Sequence, residues 1–200
     1  MPQTEYYMLH GLCLRLLHVL APSRRESMTI GRWIADHADI FGAVPAVIPA
    51  GRRAPGVDPQ SWHLLAEHLS ERLVSMPEPF DLALDRLGFI AAHLNLAFEE
   101  EAILRLLVVT QRKGPLAKFI AALQREIGLS TEATMGWCCN LDEREVWTAL
   151  APTGRLIGLG LIMTDNSSVV MRDDAYELSG LLLALLRSPS ASGPGFLGES

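Results

Sequence analysis

At 200 residues, with 49% hydrophobic and 20% charged side chains, the chain has material for one large domain or two small ones and too much apolar content for wholesale disorder. Its net charge of −6 excludes a general polyanion binder, which needs clustered Lys and Arg, while leaving room for a small local basic patch. Three cysteines, Cys13 and the adjacent Cys138 and Cys139, do not make a secreted disulfide framework and read as reduced, partly buried thiols.

The first predicted helix runs from about Thr4 to Leu20, and Pro22 ends it. Met8–Leu20 is apolar but broken by His10, Arg15 and His18, and Glu5 stands where a signal peptide would carry basic residues. The segment therefore reads as an amphipathic helix. No run reaches the roughly 18 apolar residues that a membrane span needs, so a cytoplasmic protein is expected. A second helix begins near Ser27 with Ile30, Ile34 and Ile40 or Phe41 on one stripe and Trp33 beside it. Residues 42–59, rich in proline and glycine, are expected to form a loop.

A third helix starts after Asp58 with Pro59 in its first position, and buries Trp62, Leu65, Ala66, Leu69 and Leu73. The next is expected to bury Phe80, Leu84, Leu87, Ala91 and Leu94. Another runs from Phe98 through Ala102, Ile103, Leu106 and Leu107, closed by Gln111-Arg-Lys-Gly114 with Gly114 as its cap. Pro115 opens a helix carrying Leu116, Phe119, Ile120, Leu123 and Ile127, and Gly128 ends it. Amphipathic helices in series with short links imply antiparallel neighbours around a shared core.

After Gly128 the pattern changes. A short helix spans Ser130–Cys138, and Asp142 with Glu145 makes a capping box before Val146, Trp147 and Leu150. Pro152 stops that helix, and Thr153–Gly160 is a short turn. Leu161–Thr164 and Ser168–Met171 read as the strands of a hairpin; Asp174 and Glu177 read as a second capping box, opening a helix through Leu181, Leu182 and Leu185. The expected architecture is thus mainly α: a helical bundle over 1–128, a winged-helix-like α+β unit with one β-hairpin over 129–187, and a flexible tail over 188–200.

Chemical motifs fail on specific residues. Gly51-Arg-Arg-Ala-Pro-Gly56 has the glycine spacing of a phosphate loop, but Val57 stands where the lysine should follow. Gly193-Pro-Gly195-Phe-Leu-Gly198 formally fits a dinucleotide fingerprint without the strand, helix and acidic residue that give it meaning. His63 and His68 are five apart rather than four, and His10, Cys13 and His18 lack a matching second pair of ligands. Cys139 beside Asn140 and Asp142 makes no triad, and Glu99-Glu100-Glu101 is explained by the positive end of the helix it opens. No catalytic residue, cofactor or metal site is expected.

Two contiguous runs carry a family resemblance. Leu94-Asn-Leu-Ala-Phe-Glu-Glu-Glu-Ala-Ile-Leu-Arg-Leu-Leu107 resembles a helix start in the N-terminal regions of bacterial AAA-family ATPases. Leu150-Ala-Pro-Thr-Gly-Arg-Leu-Ile-Gly-Leu-Gly-Leu-Ile162 resembles that family's leucine-rich segment ahead of a hairpin and helix, matching at Leu150, Pro152, Leu156, Gly160 and Leu161. The likeness covers about residues 80–187 and implies a helical and winged-helix module placed ahead of an ATPase engine. The engine's Walker A lysine, Walker B acidic pair and sensor arginine have no counterpart here, so the resemblance does not carry ATP hydrolysis to this chain.

The function expected is therefore a non-catalytic protein-interaction or regulatory domain, binding a protein partner or itself. Arg155, Leu156, Ile157 and Leu159 form the candidate interaction surface. The alternative is a winged-helix DNA-binding transcriptional regulator. Residues 141–187 hold four basic against seven acidic side chains, with only Arg155 placed to meet a phosphate, which disfavours it.

Overall fold

The computed structural model describes residues 3–50, 56–165 and 175–188. The chain is mainly helical, with one small two-stranded antiparallel sheet among the described residues. Contacts group it into two compact units: Met1–Pro79 with Lys113–Leu129, and Phe80–Arg112 with Ser130–Ser200. Residues 80–112, expected within a bundle over 1–128, fall in the second unit. The helices between 80 and 112 pack with the C-terminal part, because their apolar faces are completed by helices and a strand that come later in the chain.

The first unit is built on α1 (Gln3–Val19), which packs against α4 (Pro59–Ser75) and α7 (Pro115–Ala122). Leu9, Leu12, Cys13, Leu16 and Leu17 recur at helical spacing on its buried face. Asp58 caps α4 by accepting the Ser61 N–H at 2.9 Å, with Pro59 where its missing N–H costs nothing. Trp62, Leu65, Ala66 and Leu69 are buried as predicted, and the Trp62 indole N–H donates to the Leu17 carbonyl at 2.9 Å. Helix α2 (Arg25–Asp36) and the four-residue α3 (Ala38–Phe41) add Ile30, Trp33, Ile34 and Phe41. The Trp33 ring lies 4.6 Å from that of Phe119 and 6.0 Å, edge-on, from that of Phe41.

Helix α7 runs on into a π turn, Leu123–Ile127, and Gly128 ends it in the left-handed region at φ 77°. Gly114 does not cap the preceding helix. Lys113 takes the left-handed conformation (φ 55°) instead, and Gly114 is extended at the start of α7. A side chain at Gly114 has no room, since a Cβ would lie 2.1 Å from the Glu5 carboxylate.

The second unit holds α5 (Leu82–His93), α6 (Phe98–Thr110), α8 (Thr131–Cys139), α9 (Glu143–Ala149), α10 (Arg155–Gly158), β1 (Ile162–Asp165), β2 (Ala175–Leu178) and α11 (Gly180–Arg187). Helix α6 is the centre, packed by α5, α8, α9 and β2, and it buries Ile103, Leu104, Leu106, Leu107 and Val109. Phe80 is not on the buried face of α5. Asp81 caps that helix through the Ala83 and Leu84 amides, so the helix begins after it and Phe80 is 79% exposed.

The hairpin pairs Ile162 with Leu178 and Thr164 with Tyr176. Glu177, read as a capping residue, is in β2, and Ser179 caps α11 by accepting the Leu182 N–H. The predicted strand Ser168–Met171, Asp174, the phosphate-loop match through residues 51–55 and the tail beyond residue 188 lie outside the described residues.

Candidate functional site

The N-termini of α6 and α9 face the same space. A cleft of about 290 Å³ is lined by Ala97, Glu99 and Glu100 from one side and by Asp142, Arg144, Glu145, Thr148 and Ala149 from the other. Local sequence explains its walls. The Ala97 N–H donates to Glu100 Oε2 at 2.8 Å, closing the start of α6. Asp142 and Glu145 exchange backbone-to-carboxylate hydrogen bonds of 2.7 Å each, the capping box expected from the sequence. Acids at two helix starts are held in place by the amides they satisfy, and they give the cleft a negative lining.

Two aromatic residues adjoin that lining in sequence. Phe98, at the first position of α6, is 74% exposed, and Trp147, between cleft residues of α9, is 53% exposed. Val146, Ala149 and Leu150 take the inner face of α9, and the next position after Val146 is turned about 100° away from it. Leu181 on α11 and Phe89 on α5 are also exposed apolar side chains of this unit.

The candidate surface Arg155, Leu156, Ile157 and Leu159 lies on α10 and the residue that follows it. Leu156 is fully buried, Ile157 is half-buried, and Arg155 and Leu159 are exposed. Arg155 lies against the end of α5: its half-exposed guanidinium donates to the Leu94 carbonyl at 2.5 Å and the Asn95 carbonyl at 2.7 Å, with Glu100 Oε2 at 3.7 Å. These carbonyls are otherwise unpaired groups at a helix end, and Asn95 turns the chain there at φ 51°. The residue singled out for a phosphate is thus committed to capping a helix.

The remaining candidates are dispersed. His63 pairs with Glu67 on the same helix at 3.2 Å, while His68 Nε2 donates to the Phe41 carbonyl at 3.0 Å. His93 is exposed; Cys13 is buried, Cys138 and Cys139 are half-buried, and none of the three is in a disulfide. Cys139 Sγ lies 3.5 Å from the Ala102 carbonyl. Among the described residues there is no group of three or more His, Cys, Asp or Glu side chains placed to hold a metal ion, and no helix long and apolar enough to cross a membrane. Comparison with protein-family models, with characterised proteins and with solved structures gives no match for this chain.

Sequence reasoning missed Phe98 and Trp147. The signal for Trp147 was present in the capping box, which fixes where α9 begins and therefore which residues of it face inward. The signal for Phe98 was its place at a helix start, before the first turn has neighbours to bury it.

Proposed function

We propose that the chain is a non-catalytic protein-interaction module, of the kind found in the N-terminal regions of bacterial AAA-family ATPases, and that the cleft between α6 and α9 is its docking face. The carrying observation is an acidic cleft whose lining residues are sequence neighbours of two largely exposed aromatic residues, Phe98 and Trp147. Large aromatic side chains left in solvent beside a concave surface are typical anchors of protein recognition. Glu99, Glu100, Asp142 and Glu145 outnumber Arg144 there, so the complementary partner segment carries an apolar side chain flanked by Lys or Arg.

The element order α8, α9, α10, β1, β2, α11 also supports the family resemblance, with the hairpin as the wing of a winged helix. A DNA-binding reading has less support, since the guanidinium of Arg155 is spent on the Leu94 and Asn95 carbonyls. Cross-linking mass spectrometry on the chain in cell extract, combined with sedimentation of the purified chain, tests the proposal. Cross-links from Lys-rich segments to the carboxylates of Glu99 or Glu145 are expected. A strict monomer with no protein cross-link at this face would sink it, and a gel shift at low salt would favour the regulator instead.

A further inference from the structure

In the first unit, His10 is a buried polar side chain, 1% exposed. Its Nδ1 lies 2.8 Å from the Tyr6 carbonyl one turn back, which requires the proton on Nδ1 and leaves Nε2 as the bare acceptor. That Nε2 is buried and has no hydrogen-bond partner among the described residues. The ring is covered by Phe41, with centroids 4.7 Å apart. Phe41 ends α3, a four-residue helix too short to hold itself by its own hydrogen bonds. The lid over His10 is therefore the weakest element around it.

We propose that His10 is an acid-sensitive latch for α3: the neutral ring holds Phe41 in place, and protonation releases Phe41 together with the Gly42 turn that follows it. A proton on Nε2 would create a buried N–H with no acceptor and a buried charge with no counter-charge. The charged and titratable groups that face the ring are His68 and Arg72, both from α4, and both oppose a further positive charge. From α1 the Tyr6 carbonyl favours the proton, and α3 presents only the Phe41 ring. His68 gives its Nε2 proton to the Phe41 carbonyl, so it does not supply the missing acceptor. A Cβ on Gly42 would lie 3.5 Å from the Arg72 guanidinium carbon, so the same α4 side chains line both the latch and the turn it holds.

Amide hydrogen exchange on the full chain tests the latch, read at the Gly42 N–H, which donates to the Ala38 carbonyl at 2.8 Å, and corrected for the intrinsic effect of pH. Between pH 7.5 and 5.0 the opening equilibrium at Gly42 is expected to rise by up to about 30-fold, the limit set by one histidine titrating from an ordinary pKa in the open state. His10→Phe, which keeps an aromatic ring without the titration, should remove that rise. His68→Gln, which keeps a donor for the Phe41 carbonyl, should leave it in place. A pH-independent Gly42 amide in the native chain, a rise that survives His10→Phe, or one abolished by His68→Gln would each overturn the proposal. If His10→Phe does not fold, the His10 ring protons of the native chain decide by NMR. Titration below the ordinary histidine range, in step with the loss of Gly42 protection, upholds the latch, and titration at or above that range overturns it.

Discussion

Arg112 reaches from the end of α6 to Asp81, the cap of α5, and its two guanidinium nitrogens meet the two carboxylate oxygens at 2.5 and 2.9 Å. One carboxylate thus serves twice, satisfying the first amides of α5 and receiving a bidentate arginine, with side-chain exposure of only 9%. Asp81→Asn keeps much of the cap and loses the charge; Asp81→Ala loses both. The expected order of destabilisation is Asp81→Ala, then Asp81→Asn, then Arg112→Lys, with the first costing about 2–4 kcal/mol. Urea denaturation of the three variants checks the order, and equal losses in the two Asp81 variants would show that the charged pair matters and the cap adds nothing to it.

Glu5 performs a similar task in the first unit from 111 residues away, its Oε1 accepting the Leu116 N–H at 3.0 Å at the start of α7. It is buried at a positive helix end, where a carboxylate is favoured. Glu5→Ala should cost about 1–2 kcal/mol, as a lost helix cap does. Gly114→Ala should cost as much by a different route, driving the carboxylate away, and the double variant should cost less than the sum. A double-mutant cycle on thermal stability reads the coupling.

His10 gives the first unit a defined pH dependence. Burial lowers its pKa from the ordinary 6.5, and Arg72 and His68 lower it further against the Tyr6 carbonyl. Below 6.5 the unfolded chain binds a proton that the folded one refuses, so the contribution to stability is complete above 6.5 and is lost as the pH falls. Denaturation midpoints of the native chain should drop between pH 7 and pH 5 by more than those of His10→Phe.

Arg155→Ala removes the donors from the Leu94 and Asn95 carbonyls, and about 1 kcal/mol of stability should go with them. If Arg155 were instead a phosphate contact, the variant would keep its stability and lose affinity for DNA. Thermal melts and a low-salt gel shift on the same preparation separate these outcomes.

Much of the architecture was legible because its signals are local. Asp58-Pro59, the Asp142/Glu145 box and Gly128 each act within one helical turn, and each places a helix end where the sequence predicts it. What failed depends on distant partners. Gly114 looked like a helix cap, but its reason is the Glu5 carboxylate, and Lys113 makes the turn. Leu156 and Arg155 are neighbours in a run that reads as a surface, yet one enters the core and the other closes α5. The capping reading of Glu177 failed because the residue fits a capping box by spacing, while pairing with Met163 across the hairpin holds it in a strand. The grouping of residues 80–112 with the C-terminal part could not be read from periodicity, which shows that a helix has an apolar face but not what covers it.

The central claim is that Phe98 and Trp147 flank a docking face. The most direct measurement is quantitative affinity capture from the source cells with the native chain and with the Phe98→Ser/Trp147→Ser double variant, each first shown to melt at the same temperature. Since both side chains are largely exposed, their loss should leave stability within about 0.5 kcal/mol. A protein retained by the native chain and lost from the variant, by tenfold or more, is the result predicted. Equal recovery on both, or no specific protein on either, would contradict it.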